Sequence, residues 1–267
     1  MSVALNRVFL EAVGFAAPGM PSWQTARAVL RGEARYEFAP LATHAPAMLP
    51  VNERRRATPA VRLAFHAAED AMKGTDLPAA GFASVFASSD ADLAIIHRIC
   101  TALTNTPRLI SPTDFHNSVH NAAAGYWHIA AGAKAASSSI SAHDHSFAAG
   151  LLEACLQVRV DGHDTLLVAF DLPAPEPLHA KRPLAHPAAV ALLLTRMATA
   201  RSLAALDCAL GIESEDCMAD DALESLRLGN PAARALPLLR RIATGNSGRT
   251  VLAAANGGNL LVELSAP

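Results

Sequence analysis

The densest run of groups able to do chemistry is His143-Asp144-His145, lying inside the stretch Ile140 to Leu151. A β-branched strand end there runs into Ser141-Ala142 and then into the helix-forming run that starts at Ser146. Strand, tight small-residue turn and helix make a nucleophile elbow, which presents one side chain at a helix N-terminus. Elbows that react carry Cys or Ser at that point; here the position holds Asp144 between two imidazoles. Three chemistries are open to it. A carboxylate can accept the orphan N–H groups of the following helix as an N-cap. Asp144 and His145 can act as an acid–base pair in an acyl-processing enzyme. With His116, His120 and His128, the run can be read as the ligand set of a metal-dependent hydrolase. Neighbouring residues at a strand end point in alternating directions, so His143, Asp144 and His145 do not converge easily on one ion. His116 and His120 are four apart, but Pro112 and Asn117 interrupt a regular helix there. No metal and no cofactor is expected.

The elements that must position these groups follow from hydrophobic periodicity and punctuation. Arg7 to Phe15 alternates and reads as a strand; Trp23 to Leu30 has helical spacing. Asn52 to Met72 reads as one helix, with Val61, Leu63, Phe65, Ala68 and Met72 apolar and Arg54, Arg55, Arg56, Arg62 and Glu69 polar. Strands are expected at Phe82 to Ala87, Ser138 to Ile140 and Thr165 to Phe170, and helices at Asp92 to Leu103, Ala122 to Ile129 and Ser146 to Val158. The continuous apolar run from Thr165 suits a strand covered on both faces. Such alternation implies an α/β fold with a mainly parallel sheet. Prolines at 173, 175, 177, 183 and 187 then make an irregular crossing segment. Beyond it come a strand at Ala189 to Leu194, helices near Asp221 to Leu228 and Ala232 to Ile242, and strands Thr250 to Ala254 and Asn259 to Leu264. The last two are joined through Asn256-Gly257-Gly258, a turn signal because glycine accepts positive φ.

Composition bounds the partners. Apolar residues are 51% of the 267 and charged residues 17%, against roughly 25% charged in an average soluble domain. A chain this short of charge is expected to bury extra area, internally or against a permanent partner. A net charge of -2 offers no field for nucleic acid. Arg7 and Glu11 interrupt the first strand-like stretch, so no signal peptide is read there. No segment reaches the ~20 uncharged apolar residues that span a bilayer. Cys100, Cys155, Cys208 and Cys217 show no Cys-x-x-Cys spacing, which argues against a disulfide frame or zinc knuckle. A soluble, cytoplasmic chain is expected.

Several of these motifs, taken in order, resemble the β-ketoacyl synthases of the thiolase superfamily. Ser111-Pro112, Asn121 and Ala124-Gly125 match the segment before the active-site strand of those enzymes. Counting on by their usual interval lands on Asp144, with Ser141-Ala142 before it and Ser146 after it. Thr165 to Ala169 fits their next core strand, and Asn256-Gly257-Gly258-Asn259 their closing turn. The resemblance implies a thiolase-like layered α/β/α fold with a shortened second half. Residues 1–170 would form the synthase-like first half, 171–188 the crossing segment and 189–267 the truncated second half of one compact domain.

The same resemblance implies missing chemistry. Claisen condensation in that family uses a thiolate, made acidic by its helix N-terminus, to hold the acyl group. A carboxylate is a poor nucleophile, and its acyl product would be a labile mixed anhydride. The family also uses two second-half histidines, yet the last histidine here is His186. The chain is therefore similar to the chain-length factors of two-subunit ketosynthases, in the short form of aryl polyene-like pathways. Such a factor heterodimerises with an active ketosynthase, which acyl carrier protein charges, and completes the end of the acyl tunnel. By that transfer Asp114, Phe115, Ser118 and Val119 fall where synthases contact the partner, with Asp114 and Phe115 as length-gating positions. Arg54-Arg55-Arg56 is either a docking patch for acidic carrier protein or the solvated face of its helix.

Overall fold

The first strand, β1 (Val8–Ala16), runs through the middle of the molecule rather than along its edge. The structure, a computed structural model, describes residues 7–267. The helices are α1 (Trp23–Leu30), α2 (Val51–Arg56), α3 (Pro59–Met72), α4 (Leu93–Thr104), α5 (Pro112–Asn117), α6 (Ala122–Ala131), α7 (Ser146–Leu156), α8 (Asp221–Leu228) and α9 (Leu236–Thr244). The remaining strands are β2 (Ala83–Ala87), β3 (Ser137–Ile140), β4 (Thr165–Asp171), β5 (Ala188–Thr195), β6 (Ala204–Gly211), β7 (Gly248–Ala253) and β8 (Asn259–Ser265). They form one sheet in the order β3-β2-β4-β5-β1-β6-β8-β7. Because β1 sits between β5 and β6, the chain before the Pro-rich segment and the chain after it share that sheet.

Helices cover both faces. Leu167, Ala169, Val190, Leu192 and Leu194 face one core with α1, α7, α8 and α9. Leu166, Val168, Phe170, Ala191 and Leu193 face the other with α3 and α6. A period of two inside unbroken apolar runs is what a strand covered on both sides requires. Layer spacing is tight at two glycines. A Cβ on Gly14 would collide with the Ala67 carbonyl of α3, and one on Gly150 would lie 2.8 Å from the Ala87 Cβ.

Four expectations need correction. The sheet is not mainly parallel: among the described residues only the β2–β3 and β2–β4 pairs are, and the other five are antiparallel. The Pro-rich crossing is not a helical crossover, so β5 returns antiparallel to β4; a doubly covered apolar run looks the same in either direction. The Asn52 to Met72 helix is two helices, because Pro59 pushes Thr58 into extended backbone (φ -76, ψ 168). Thr58 then caps α3 through its side chain, accepting from the Val61 N–H. β6 is an unexpected strand, an Ala- and Leu-rich sequence lacking β-branched residues. α5, not expected to be helical, begins at Ser111, whose side chain caps it, with Pro112 in the first turn. Among the described residues no helix is long and apolar enough to cross a membrane.

Candidate functional site

The carboxyl ends of the parallel strands β2, β3 and β4 converge on one polar cluster, where open α/β sheets place their ligands. From β3 the chain passes Ser141-Ala142 into a 3₁₀ turn, His143–His145, and then into α7. His143 has φ +53, and Ala91, just past β2, has φ +56. These are the only positive-φ non-glycine residues among the described ones, and each costs on the order of 1 kcal/mol. The turn holds this shape because the Ser146 hydroxyl accepts from the Ala142 N–H (3.0 Å) and donates to the His143 carbonyl (2.7 Å). The strained apex of the elbow is thus His143, one residue before Asp144, and its imidazole is exposed.

Asp144 does not cap α7. The N-cap residue is His145, with no side-chain cap bond. The Asp144 carboxylate instead accepts from Arg182 Nη1 at 2.7 Å, and Arg182 Nε donates to Asp90 at 2.9 Å. Arg182 comes from the Pro-rich crossing segment and lies across the elbow with its side chain only 14% exposed. Burial alone would raise the Asp144 pKa, but the Arg182 hydrogen bond and charge outweigh it and hold the carboxyl below its ordinary value.

Asp171 closes the floor of the cluster at the end of β4. One oxygen accepts from Ser88 Oγ (3.0 Å), Ser89 N (2.8 Å) and Ser89 Oγ (2.8 Å); the other is buried without a hydrogen-bond partner. Complete burial pushes its pKa up to about 7 despite those three donors. Ser141 Oγ donates to the Ser89 carbonyl, and His120 Nε2 lies 2.9 Å from the Ser88 carbonyl. Asn230 donates to the carbonyls of Asp171 and His186, tying the crossing segment down from the other side. Serine, carboxylate and guanidinium are present; a thiol is not, since Cys155 and Cys208 are buried in the core and Cys100 and Cys217 are exposed elsewhere.

The other candidates are dispersed. His116 packs edge-on against Tyr126, His128 meets Ser84 Oγ at 3.3 Å, and His186 meets the Leu226 carbonyl at 2.9 Å. α5 ends before His120, so His116 and His120 share no helix. Among the described residues no group of three His, Cys, Asp or Glu is placed to hold a metal. Asp114 is engaged: Arg98 of α4 donates to both its oxygens (2.7 and 3.1 Å) and holds its carboxyl below the usual range. Ser118 donates to the Phe115 carbonyl, while Phe115 and Val119 project outward, 69% and 51% exposed. Arg54 donates to the carbonyls of Ala47 and Leu49 and pins the loop before α2, leaving Arg55 and Arg56 exposed.

Exposed apolar side chains recur along the chain from α4 to α6. α4 buries only Ile95 and leaves Ile96 and Leu103 exposed, with Cys100 between them; Leu109 and Ile129 stand exposed nearby in the chain. At one end of the sheet β3 is an edge strand, paired among the described residues with β2 alone. A cleft of about 320 Å³ lies between β3 and α6, lined by Asn121, Ala124, Gly125, His128, Ser137 and Ser139.

The model of the β-ketoacyl synthase N-terminal domain matches residues 23–255. The chain belongs to that family. The fold agrees with a complex described as the ketosynthase ApeO with its chain length factor ApeC from Xenorhabdus doucetiae. The match has TM-score 0.71 and 25% identity, and covers 96% of this chain and 98% of that one. A type II polyketide synthase acyl-carrier protein in complex with its ketosynthase (AntDE:AntF) gives TM-score 0.77 at 13% identity, covering 98% and 99%. The ishigamide ketosynthase/chain length factor gives 0.69 at 13%, covering 97% and 99%. The family member thus has a thiolase-like layered α/β/α fold. No curated protein gives a significant match.

Proposed function

We propose that this chain is a non-catalytic chain-length factor that heterodimerises with an active ketosynthase and shapes the end of its acyl tunnel. One observation carries the reading: the elbow keeps its strained turn, yet its apex is His143 and the neighbouring Asp144 is engaged by Arg182. A family scaffold without its thiol can bind and shape but cannot hold a thioester. The carboxylate–guanidinium pair also weighs against Asp144 and His145 as an acyl-processing base pair, because lowering a carboxylate's pKa weakens it as a proton acceptor.

The free edge of β3, the cleft beside it and the exposed apolar residues of α4 to α6 support this end of the sheet as the heterodimer face. An open edge strand is a template for pairing, and an apolar patch of this kind marks an interaction site. On this reading Phe115, Ser118 and Val119 meet the partner, and Phe115 with Ile96, Cys100 and Leu103 walls the tunnel. Asp114 serves there as the strut that fixes α5 to α4 rather than as the wall itself. Acyl carrier protein would load the partner subunit, in a polyene- or fatty-acid-like pathway of the cytoplasm. Arg55 is the member of the basic run left available to an acidic carrier, since Arg54 pins the loop and Arg56 pairs with Glu53 at 3.7 Å.

Coexpression with an active Cys-His-His ketosynthase of the same family tests the proposal. A one-to-one complex should form, Phe115→Lys with Ile129→Lys should abolish it, and Phe115→Ala in the intact complex should change product length. A stable, well-behaved monomer that never pairs would refute it.

A further inference from the structure

The core holds a second pair of reactive groups that the proposed function does not use. Cys155, on the C-terminal half of α7, and Cys208, on β6, place their sulfurs 3.4 Å apart, 53 residues apart in the chain. Both are buried, at 2% and 4% exposure, whereas Cys100 and Cys217 are exposed. Cys155 cannot drift away, because Gly150 on the same helix seats α7 directly on Ala87 of β2 and Leu167 of β4. β6 pairs with β1 at Ala204 to Leu206 and with β8 from Ala205 to Gly211, Cys208 standing opposite Val262. Two sulfurs fixed this close in sequence-distant elements are positioned for a bond of about 2.0 Å.

We propose that Cys155 and Cys208 are a disulfide-forming modification site, oxidised by a low-molecular-weight disulfide such as glutathione disulfide. One cysteine, as thiolate, attacks the glutathione S–S bond, forms a mixed disulfide and expels one glutathione thiolate. The second cysteine thiolate then attacks the protein sulfur of that mixed disulfide and expels the other glutathione. Two protein thiols lose two protons and two electrons, and one glutathione disulfide becomes two thiols. The bond joins α7, which carries the elbow, to a strand that follows the Pro-rich crossing. The hydrogen bond with the Cys208 sulfur, and then burial, push the Cys155 thiol up in the closed fold, so exchange proceeds in the opened or refolding chain.

The test refolds the full-length chain from urea in a series of oxidised-to-reduced glutathione ratios. Remaining thiols are then blocked with a maleimide and the disulfides mapped by peptide mass spectrometry. The expected product is a Cys155–Cys208 cross-linked peptide, with Tm about 10 °C above the reduced chain, and no such species from Cys208→Ala. Recovery of Cys155 and Cys208 as maleimide adducts at ratios where Cys100 or Cys217 already carries glutathione would overturn the proposal. So would cross-links that pair either residue with an exposed cysteine.

Discussion

Replacing Arg182 with Met is the most informative perturbation of the elbow. The substitution keeps most of the side-chain volume and removes two charge-assisted hydrogen bonds, to Asp144 at 2.7 Å and Asp90 at 2.9 Å. Each would contribute about 1.5–3 kcal/mol if fully buried. The two carboxylates are 36% and 26% exposed, so water screens what is left behind and reduces each contribution to about 1 kcal/mol. Two carboxylates left facing one another without their cation add a further fraction. The expected loss is about 2–3 kcal/mol, or about 4–10 °C in Tm for a chain of this size. Urea denaturation and thermal melting, on the isolated chain and on the coexpressed complex, measure it. Asp144→Asn alone should cost less, about 1 kcal/mol, because Asp90 still holds Arg182. Product formation by the complex should survive both variants once stability is allowed for. Arg182→Met within about 0.5 kcal/mol of wild type would refute this role for Arg182. Loss of product in a fully folded Asp144→Asn complex would return a chemical role to Asp144.

Asp171 makes stability depend on pH with a definite sign. Its folded pKa of about 7 lies above the ordinary carboxylate value, so the stability it contributes is full below about pH 4 and disappears as pH rises through 7. Asp171→Asn should therefore flatten the curve and gain up to about 4 kcal/mol over wild type above pH 7; parallel curves from pH 4 to 8 would exclude a buried proton there. His143→Gly should stabilise by about 1 kcal/mol, because glycine accepts φ +53 without strain. A Tm no higher than wild type would show that the apex is not under strain.

Much of this was legible in the residues where pattern and punctuation agree. α1, with the Ser22 cap before it, and the apolar runs of β2, β4 and β5 all lie where their spacing puts them. Local chemistry also carried the elbow, since small residues between a strand and a helix leave few other shapes. What escaped is non-local. Asp144 is next to a helix and suits an N-cap, but Arg182, 38 residues on, supplies a stronger partner. Asp114 looks like an open-loop position until Arg98 of α4 grips it from 16 residues earlier. Two missed features did leave signals. Thr58-Pro59 is a helix start inside an apparently continuous helix, and Ser88-Ser89-Asp90 directly follows an apolar strand, where a site in an α/β sheet is built.

The central claim is that this molecule shapes a reaction whose covalent intermediate sits on another subunit. Incubating the two-subunit complex with acyl-loaded carrier protein and measuring the intact mass of each chain tests it most directly. The acyl mass should appear on the partner ketosynthase alone, while this chain keeps its unmodified mass at every time point. An acyl adduct on this chain, above all at the His143-Asp144-His145 turn, would contradict the account.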